Sequence, residues 1–280
     1  NEGGGDCLFA VIRDALASVG RDVSVADMRD KLATAVTDDV FATYAALHVD
    51  VERERGEMET AVSDARALEE GLRAQEAAAT DARKLRRLRG KVAAAAEAVE
   101  AAEAGLARAE GLGEEFAFMK EVKDVGGLRE AVKTCAFWGD TWALTTLEKA
   151  LGVKLVLFSQ EAHVAGDTTN ILQCGQNNAD NAVTKPEFYI MANYMGYHYQ
   201  LITHNGLSAF TFAQLPAEVE KLIVDTCLQQ SGGPFSLIED FARQLPEVQG
   251  SPRASAPHKS QGATESQQAT ESQQATESQQ

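Results

Sequence analysis

From Glu52 to Gly113 the chain runs without a proline, and Ala, Glu and Arg dominate with charges of both signs interleaved. Such a composition marks long solvent-exposed helix or coiled coil. Val92, Ala95, Val99, Ala102, Leu106 and Ala109 recur at alternating spacings of three and four, as do Met58, Ala61, Ala65, Leu68 and Leu72. The two registers slip near Leu85 and Leu88. A single helix through this stretch would be roughly 90 Å long. Tyr44 before it and Phe116 after it would then stand too far apart to share a core. The sequence therefore demands an antiparallel helical hairpin, turning between Ala77 and Asp81, with Thr80-Asp81 capping the return helix. Its alanine-rich seam permits close approach but buries little area per residue. Two roles fit such an arm: a solvated spacer, or a platform for a protein partner.

The arm interrupts one domain, so 1–51 and 114–245 are expected to fold together around an insertion at 52–113. Residues 246–280 form a polar tail that ends in three copies of Ala-Thr-Glu-Ser-Gln-Gln and is too poor in apolar residues to order itself. Ser24 with Asp27 is an N-cap pair for a helix to about Val36, and Thr37-Asp38-Asp39 caps another carrying Phe41, Tyr44, Leu47 and Val51. Gly126-Gly127 is expected to break a helix, with a short one following over Leu128–Cys135. Asp140 caps Thr141–Leu151, and Gly152 stops it. The apolar run from Val153 to Phe158 is a buried strand, and Ile171-Leu172 and Glu187–Ala192 are further strands. Asn205-Gly206 is a two-residue hairpin signal that pairs Tyr199–Thr203 with Leu207–Phe212. Helices starting at Pro216 and Pro234 complete an α+β domain, a small central sheet flanked by helices.

Hydrophobic residues make up 44% of the 280, enough for one well-cored domain plus extras. No apolar run approaches the roughly 20 residues of a membrane-spanning helix. A net charge of −16 argues against a nucleic-acid partner and suits a protein that meets a basic surface. Cys7, Cys135, Cys174 and Cys227 are widely separated, with no CxxC and no histidines at metal spacing, so neither a metal nor another cofactor is expected. The same cysteine pattern points to a reducing intracellular compartment, the cytoplasm or another like it. The chain has no initiator Met and reads as a piece of a longer protein.

The chemistry concentrates at Gly3-Gly4-Gly5-Asp6-Cys7-Leu8-Phe9. Leu8, Val11, Ile12, Ala15 and Leu16 follow helical spacing up to Gly20, which sets Cys7 at the helix N-terminus. Unpaired amides and the helix macrodipole favour a thiolate there. The glycines allow backbone N–H groups to turn toward a developing oxyanion, with Asp6 shaping that loop. Tyr197-His198-Tyr199-Gln200-Leu201-Ile202 reads as an alternating strand with its histidine held between neighbouring strands. A cysteine at a helix start and a histidine on a strand make the nucleophile and base of a thiol hydrolase. His204, at the hairpin end, is an exposed rival, and His163 is a loop residue.

The Gly-Asp-Cys-Leu-Phe block, Phe137-Trp138-Gly139-Asp140 opening a helix, and Tyr197-His198-Tyr199 occur in the order seen in the ovarian-tumour (OTU) family of cysteine proteases, which the chain resembles. Most members of that family cleave ubiquitin from substrates. The resemblance implies a papain-like OTU fold and the hydrolysis of the bond after the C-terminal glycine of ubiquitin, polyubiquitin or a ubiquitin-like modifier. Cys7 would be the nucleophile and His198 the general base and acid. Gly4, Gly5, Trp138 and Tyr197 would line the narrow cleft for the substrate tail. The family's usual aspartate three residues before the cysteine is Gly4 here, and its orienter two residues after the histidine is Gln200, with Asn193 as the substitute candidate. These departures keep two other readings open, a catalytically weak or inactive OTU-like ubiquitin-binding scaffold and a different thiol acyltransferase using the same dyad.

Overall fold

The computed structural model describes residues 5–174, 182–196, 198–228 and 233–243. The polar tail expected to be disordered belongs to a separate unit, Pro246–Gln280, which lies wholly outside the described residues. Four strands form a mixed sheet in the order β2-β1-β3-β4. They are β1 Val153–Ser159, β2 Ile171–Leu172, β3 Phe188–Tyr194 and β4 Tyr199–Leu201. β1 and β3 run parallel, with Val153 opposite Phe188 and Ser159 opposite Tyr194, while the short outer strands are antiparallel to them.

Because strand side chains alternate between faces, the two central strands feed two separate cores. Val153, Leu155, Leu157, Ile190 and Ala192 join the first, which is filled by α1 (Cys7–Ala17), α2 (Val25–Ala35) and α6 (Thr141–Leu151). Val156, Tyr189 and Met191 join the second with Ile223, Cys227, Phe235, Ile238 and Phe241 from the C-terminal elements. Helices thus cover both faces of a small mixed sheet, a mixed α and β architecture broadly compatible with the expected α+β class.

The local signals place most helix ends. Ser24 and Asp27 form a capping box, Thr37 accepts from the Val40 N–H, and Asp140 accepts from the Ala143 N–H. Gly152 ends α6 with φ +65°, a conformation that costs a residue with a Cβ. Gly126-Gly127 behaves differently from expectation: both glycines lie inside α5 (Val125–Ala131). The Asp124 carboxylate accepts from the Gly127 N–H at 2.8 Å, and this cap outweighs the poor propensity of the pair. The segment before it is a 3-10 turn, Ala117–Glu121.

The arm is a hairpin of α3 (Asp38–Ala77) and α4 (Ala82–Glu115), turning where the sequence places it, with the Asp81 carboxylate accepting from the Lys84 N–H at 2.8 Å. Val62, Leu88, Ala95, Val99 and Ala109 are buried along it. The division at residue 52 is not a structural boundary. With no proline to stop it, the helix begun at Asp38 in the domain continues to Ala77 in the tip. Tyr44 near its start packs among Phe116, Phe118, Phe137 and Trp142, with ring centroids 5.7–6.5 Å away, and its hydroxyl donates to Asp140 at 2.5 Å.

The hairpin after β4 also departs from expectation. Asn205 and Gly206 both have positive φ and His204 pairs with Leu207, so the tight turn forms. The returning chain, however, does not pair along β4. Phe210 instead exchanges two backbone hydrogen bonds with Tyr189 of β3, at 2.7 and 2.9 Å. β4 is consequently an edge strand, and His198 precedes it by one residue instead of lying between strands.

One ion pair is buried in the scaffold. Lys154 is 2% exposed and Glu148 is 3% exposed. Lys154 Nζ donates to Glu148 Oε1 at 2.8 Å and to the Cys174 carbonyl at 2.9 Å, and the Leu155 N–H donates to the same Glu148 oxygen. Burial pushes the Glu148 carboxyl above its usual range against the opposing pull of Lys154. Breaking one side of such a pair strands a charge, whereas replacing both by apolar groups need not. Lys154→Met should therefore cost about 3–5 kcal/mol in urea unfolding, and adding Glu148→Leu should recover most of the loss. A double variant no more stable than the single would contradict this account.

Candidate active site

Cys7 is the first residue of α1, at 7% exposure, and the helix ladder opens with the Ala10 N–H donating to the Asp6 carbonyl at 2.8 Å. The N–H groups of Cys7, Leu8 and Phe9 therefore have no partner within the helix, which leaves donors beside the thiol. The Gly5 N–H is not among the available donors, because it donates to the Cys135 carbonyl at 3.1 Å. Of the glycine loop expected to offer such donors, Gly5 is thus engaged and Gly4 lies outside the described residues, while the helix start keeps its own.

What holds the loop is a residue that motif reading passes over. Arg29, on α2 and only 4% exposed, donates from Nη2 to the Gly5 carbonyl at 3.2 Å and to the Phe137 carbonyl at 3.3 Å. Nη1 donates to the Val132 carbonyl at 2.8 Å, and Asp6 Oδ1 receives both Nε (3.0 Å) and Nη2 (2.5 Å). The guanidinium also lies 4.2 Å from the centroid of the Phe9 ring. Asp6 is accordingly an anchor of the loop; its carboxylate is offset by Arg29 and makes no capping bond to α1. The sequence signal was present in the form of a charged residue on the same helical stripe as Met28, Leu32 and Ala33.

The fit around the loop is close. A methyl group on Gly5 would meet the Cys135 carbonyl oxygen at 2.5 Å, the Phe137 carbonyl oxygen at 2.7 Å and Trp138 Cδ1 at 3.1 Å. Trp138, at 40% exposure, therefore stands at the lip of the cysteine loop. Gly139 is likewise pressed against the Leu8 side chain. The Tyr199 hydroxyl donates to the Gly139 carbonyl at 3.3 Å, and burial pushes this phenol well above its usual range, keeping it a neutral donor. These contacts join the tryptophan block, α1 and β4.

A groove of about 160 Å³ opens between α1 and the 198–201 segment. Cys7, Ala10, Val11 and Asp14, spaced along one helix face, form one wall; His198 and Gln200 stand in the other. Cys7 and His198, remote in sequence, are thus brought to one groove. Gln200 is paired opposite Asn193, so the two share a face of the sheet. The Asn193 amide donates to Gln160 Oε1 at 2.9 Å, and among the described residues no hydrogen bond joins either amide to the His198 ring. Trp138 does not line this groove, His204 is exposed, and Gly4 and Tyr197 lie outside the described residues.

No group of three or more potential metal ligands is assembled among the described residues. No helix among them is long and apolar enough to cross a membrane. Comparison of the chain with protein-family models, curated proteins and solved structures gives no match.

Two experiments follow from this geometry. Arg29→Met should lower the unfolding free energy by about 3 kcal/mol or more, because it takes the donor from the buried Gly5, Val132 and Phe137 carbonyls and from the part-buried Asp6 carboxylate. Arg29→Lys should cost less, since a single ammonium keeps the charge but cannot reproduce the planar fork. Urea melts that find Arg29→Met as stable as wild type would show the network to be idle.

The second concerns the other thiols. Burial pushes Cys174 and Cys227 up to about 11, and only the thiolate is a good nucleophile. Iodoacetamide applied to the native protein near neutral pH should leave both unmodified in peptide mass spectra, with reaction appearing as pH rises toward about 11. Ready modification of either at neutral pH, with the fold intact, would refute the assignment.

Proposed function

We propose that this chain is a thiol-dependent deubiquitinase of the OTU type, hydrolysing the peptide or isopeptide bond after the C-terminal glycine of ubiquitin or a ubiquitin-like modifier. The observation that carries the reading is the meeting of Cys7, at the start of α1, with His198 in one groove. The small mixed sheet with helices on both faces and the seating of the Phe137–Asp140 block against the cysteine loop support a papain-like fold of that family.

In this mechanism His198 takes the Cys7 proton, and the thiolate attacks the carbonyl carbon of the scissile amide. The tetrahedral oxyanion accepts hydrogen bonds from the unpaired N–H groups at the start of α1, where losing one donor typically costs about 2.7–4 kcal/mol. Collapse breaks the C–N bond, and His198 returns the proton to the leaving amine. Water, deprotonated by His198, then attacks the thioester and releases the acid and the thiol. Gln200, in the same groove, is the nearer candidate for orienting the imidazole, because the Asn193 amide is engaged by Gln160.

A second reading, an OTU-like ubiquitin-binding module with weak or absent chemistry, draws on two observations. The Gly5 N–H is committed to the Cys135 carbonyl, and no carboxylate stands at the position of the orienter.

Labelling with ubiquitin bearing a C-terminal electrophile separates the two readings. Wild type should form a covalent adduct, Cys7→Ala none, and His198→Ala should react at least about 100-fold more slowly. A folded wild-type protein that forms no adduct would overturn the hydrolase reading, and noncovalent ubiquitin binding would then favour the module.

A further inference from the structure

The tip of the arm reverses the sign of the chain's charge. Arg83, Lys84, Arg86, Arg87, Arg89 and Lys91 crowd the first turns of α4, all exposed, with no acidic residue among them before Glu97. Arg89 donates to Glu76 across the turn at 3.1 Å. Among the described residues the other five have no ion-pair partner. Arg83 and Arg87, and Arg87 and Lys91, are like-charged neighbours one turn apart, an arrangement that destabilises an isolated helix. Leu88 is buried and Leu85 half-buried, and Leu68 of α3 is a single exposed apolar side chain, so the outer surface of the tip is cationic with no apolar face and no aromatic anchor among the described residues.

We infer that this tip binds the phosphate backbone of duplex nucleic acid. A duplex offers one negative charge per roughly 1.7 Å of axis, a density that five closely spaced cations can engage together. The acidic stretches of a second copy are a poorer complement. Glu52, Glu57 and Glu59 are already paired with the intervening Arg53 and Arg55. A bilayer is a poorer fit as well, because interfacial helices pair their basic face with an apolar one that inserts. With no aromatic ring to stack on bases, the contacts reach the backbone alone, and binding is indifferent to sequence.

The charge of −16 that argues against nucleic acid is an average over the whole chain, and the structure separates its parts. From Val51 to Ala77 the helix extends about 40 Å, several times the Debye length of about 8 Å at physiological ionic strength. The acidic body is therefore screened from anything held at the tip. Of the acids nearest the tip, Glu69 and Glu76 are paired with Arg73 and Arg89, Asp81 caps α4, and Glu70 is exposed, so the cations remain in excess.

Fluorescence anisotropy of the full chain with a mixed-sequence DNA duplex of about 20 base pairs, between about 50 and 200 mM salt, tests the inference. Five phosphate contacts predict a slope of log K against log salt of about −4.5. The triple variant R83Q/R86Q/R87Q, which keeps good helix formers, should bring the slope to about −1.8 and weaken binding at least tenfold at the lowest salt. R53Q/R55Q at the arm base should bind like wild type. Circular dichroism verifies that the helices persist in each variant. Absence of duplex binding at low salt, or binding that the tip substitutions leave unchanged, would overturn the inference. So would tighter binding to phosphatidylserine vesicles than to duplex, which would make the site a lipid contact. A salt-sensitive dimer in sedimentation equilibrium, lost in the triple variant while duplex binding persists, would reassign the tip to a second copy.

Discussion

Everything near the cysteine hangs on one guanidinium. Arg29 reaches carbonyls from three separate places in the chain, Gly5, Val132 and Phe137, together with the Asp6 carboxylate, while its flat face covers Phe9. A buried arginine is tolerable only when most of its donors are used. Here the requirement works in both directions: satisfying the arginine fixes the loop, and the loop supplies what the arginine needs. The glycine at position 5 follows from it, since backbone drawn this close to Cys135 and Phe137 leaves no room for a side chain. The cysteine's place at the helix start is thus set from below, by α2, as much as by its own sequence.

A second constraint ties the arm to the same region. Tyr44 belongs to the long outgoing helix, yet its hydroxyl meets the carboxylate that caps α6, and its ring contacts Phe137 from the block that flanks the cysteine loop. Burial pushes that phenol far above its usual range, so at neutral pH it stays a donor to Asp140. Asp140 serves two elements at once, accepting from the Ala143 N–H and from Tyr44. The cap that sequence reasoning assigns to it is real, and it is also the joint between arm and domain.

How legible was this from the sequence? Features decided within a few residues were readable: the Ser24 box, the Thr37 and Asp81 caps, the Gly152 stop and the turn at the tip all depend on local chemistry. Features decided by competition were not. Gly126-Gly127 looks like a helix breaker until the Asp124 cap is counted. Phe210 looks like the partner of β4 until Tyr189, far away in the chain, claims it. Arg29 carried a signal, a charge on an apolar stripe, but its acceptors are mostly carbonyls, which no side-chain pattern reveals. The meeting of Cys7 and His198 is equally nonlocal; periodicity places one at a helix start and the other near a strand, but that they share a groove is expected from their paired chemistry and from the family resemblance, not from any local pattern.

The unbroken run of α3 from Asp38 to Ala77 has a metric consequence. A hairpin attached through a flexible loop would sweep a volume; one whose outgoing helix begins inside the first core is a ruler. Its zero mark is Tyr44, pinned to the cap of the helix that follows Trp138, and its far end stands about 40 Å beyond Val51. Whatever the tip holds is therefore held at a set distance from the cysteine groove, a distance counted in helical turns of the arm.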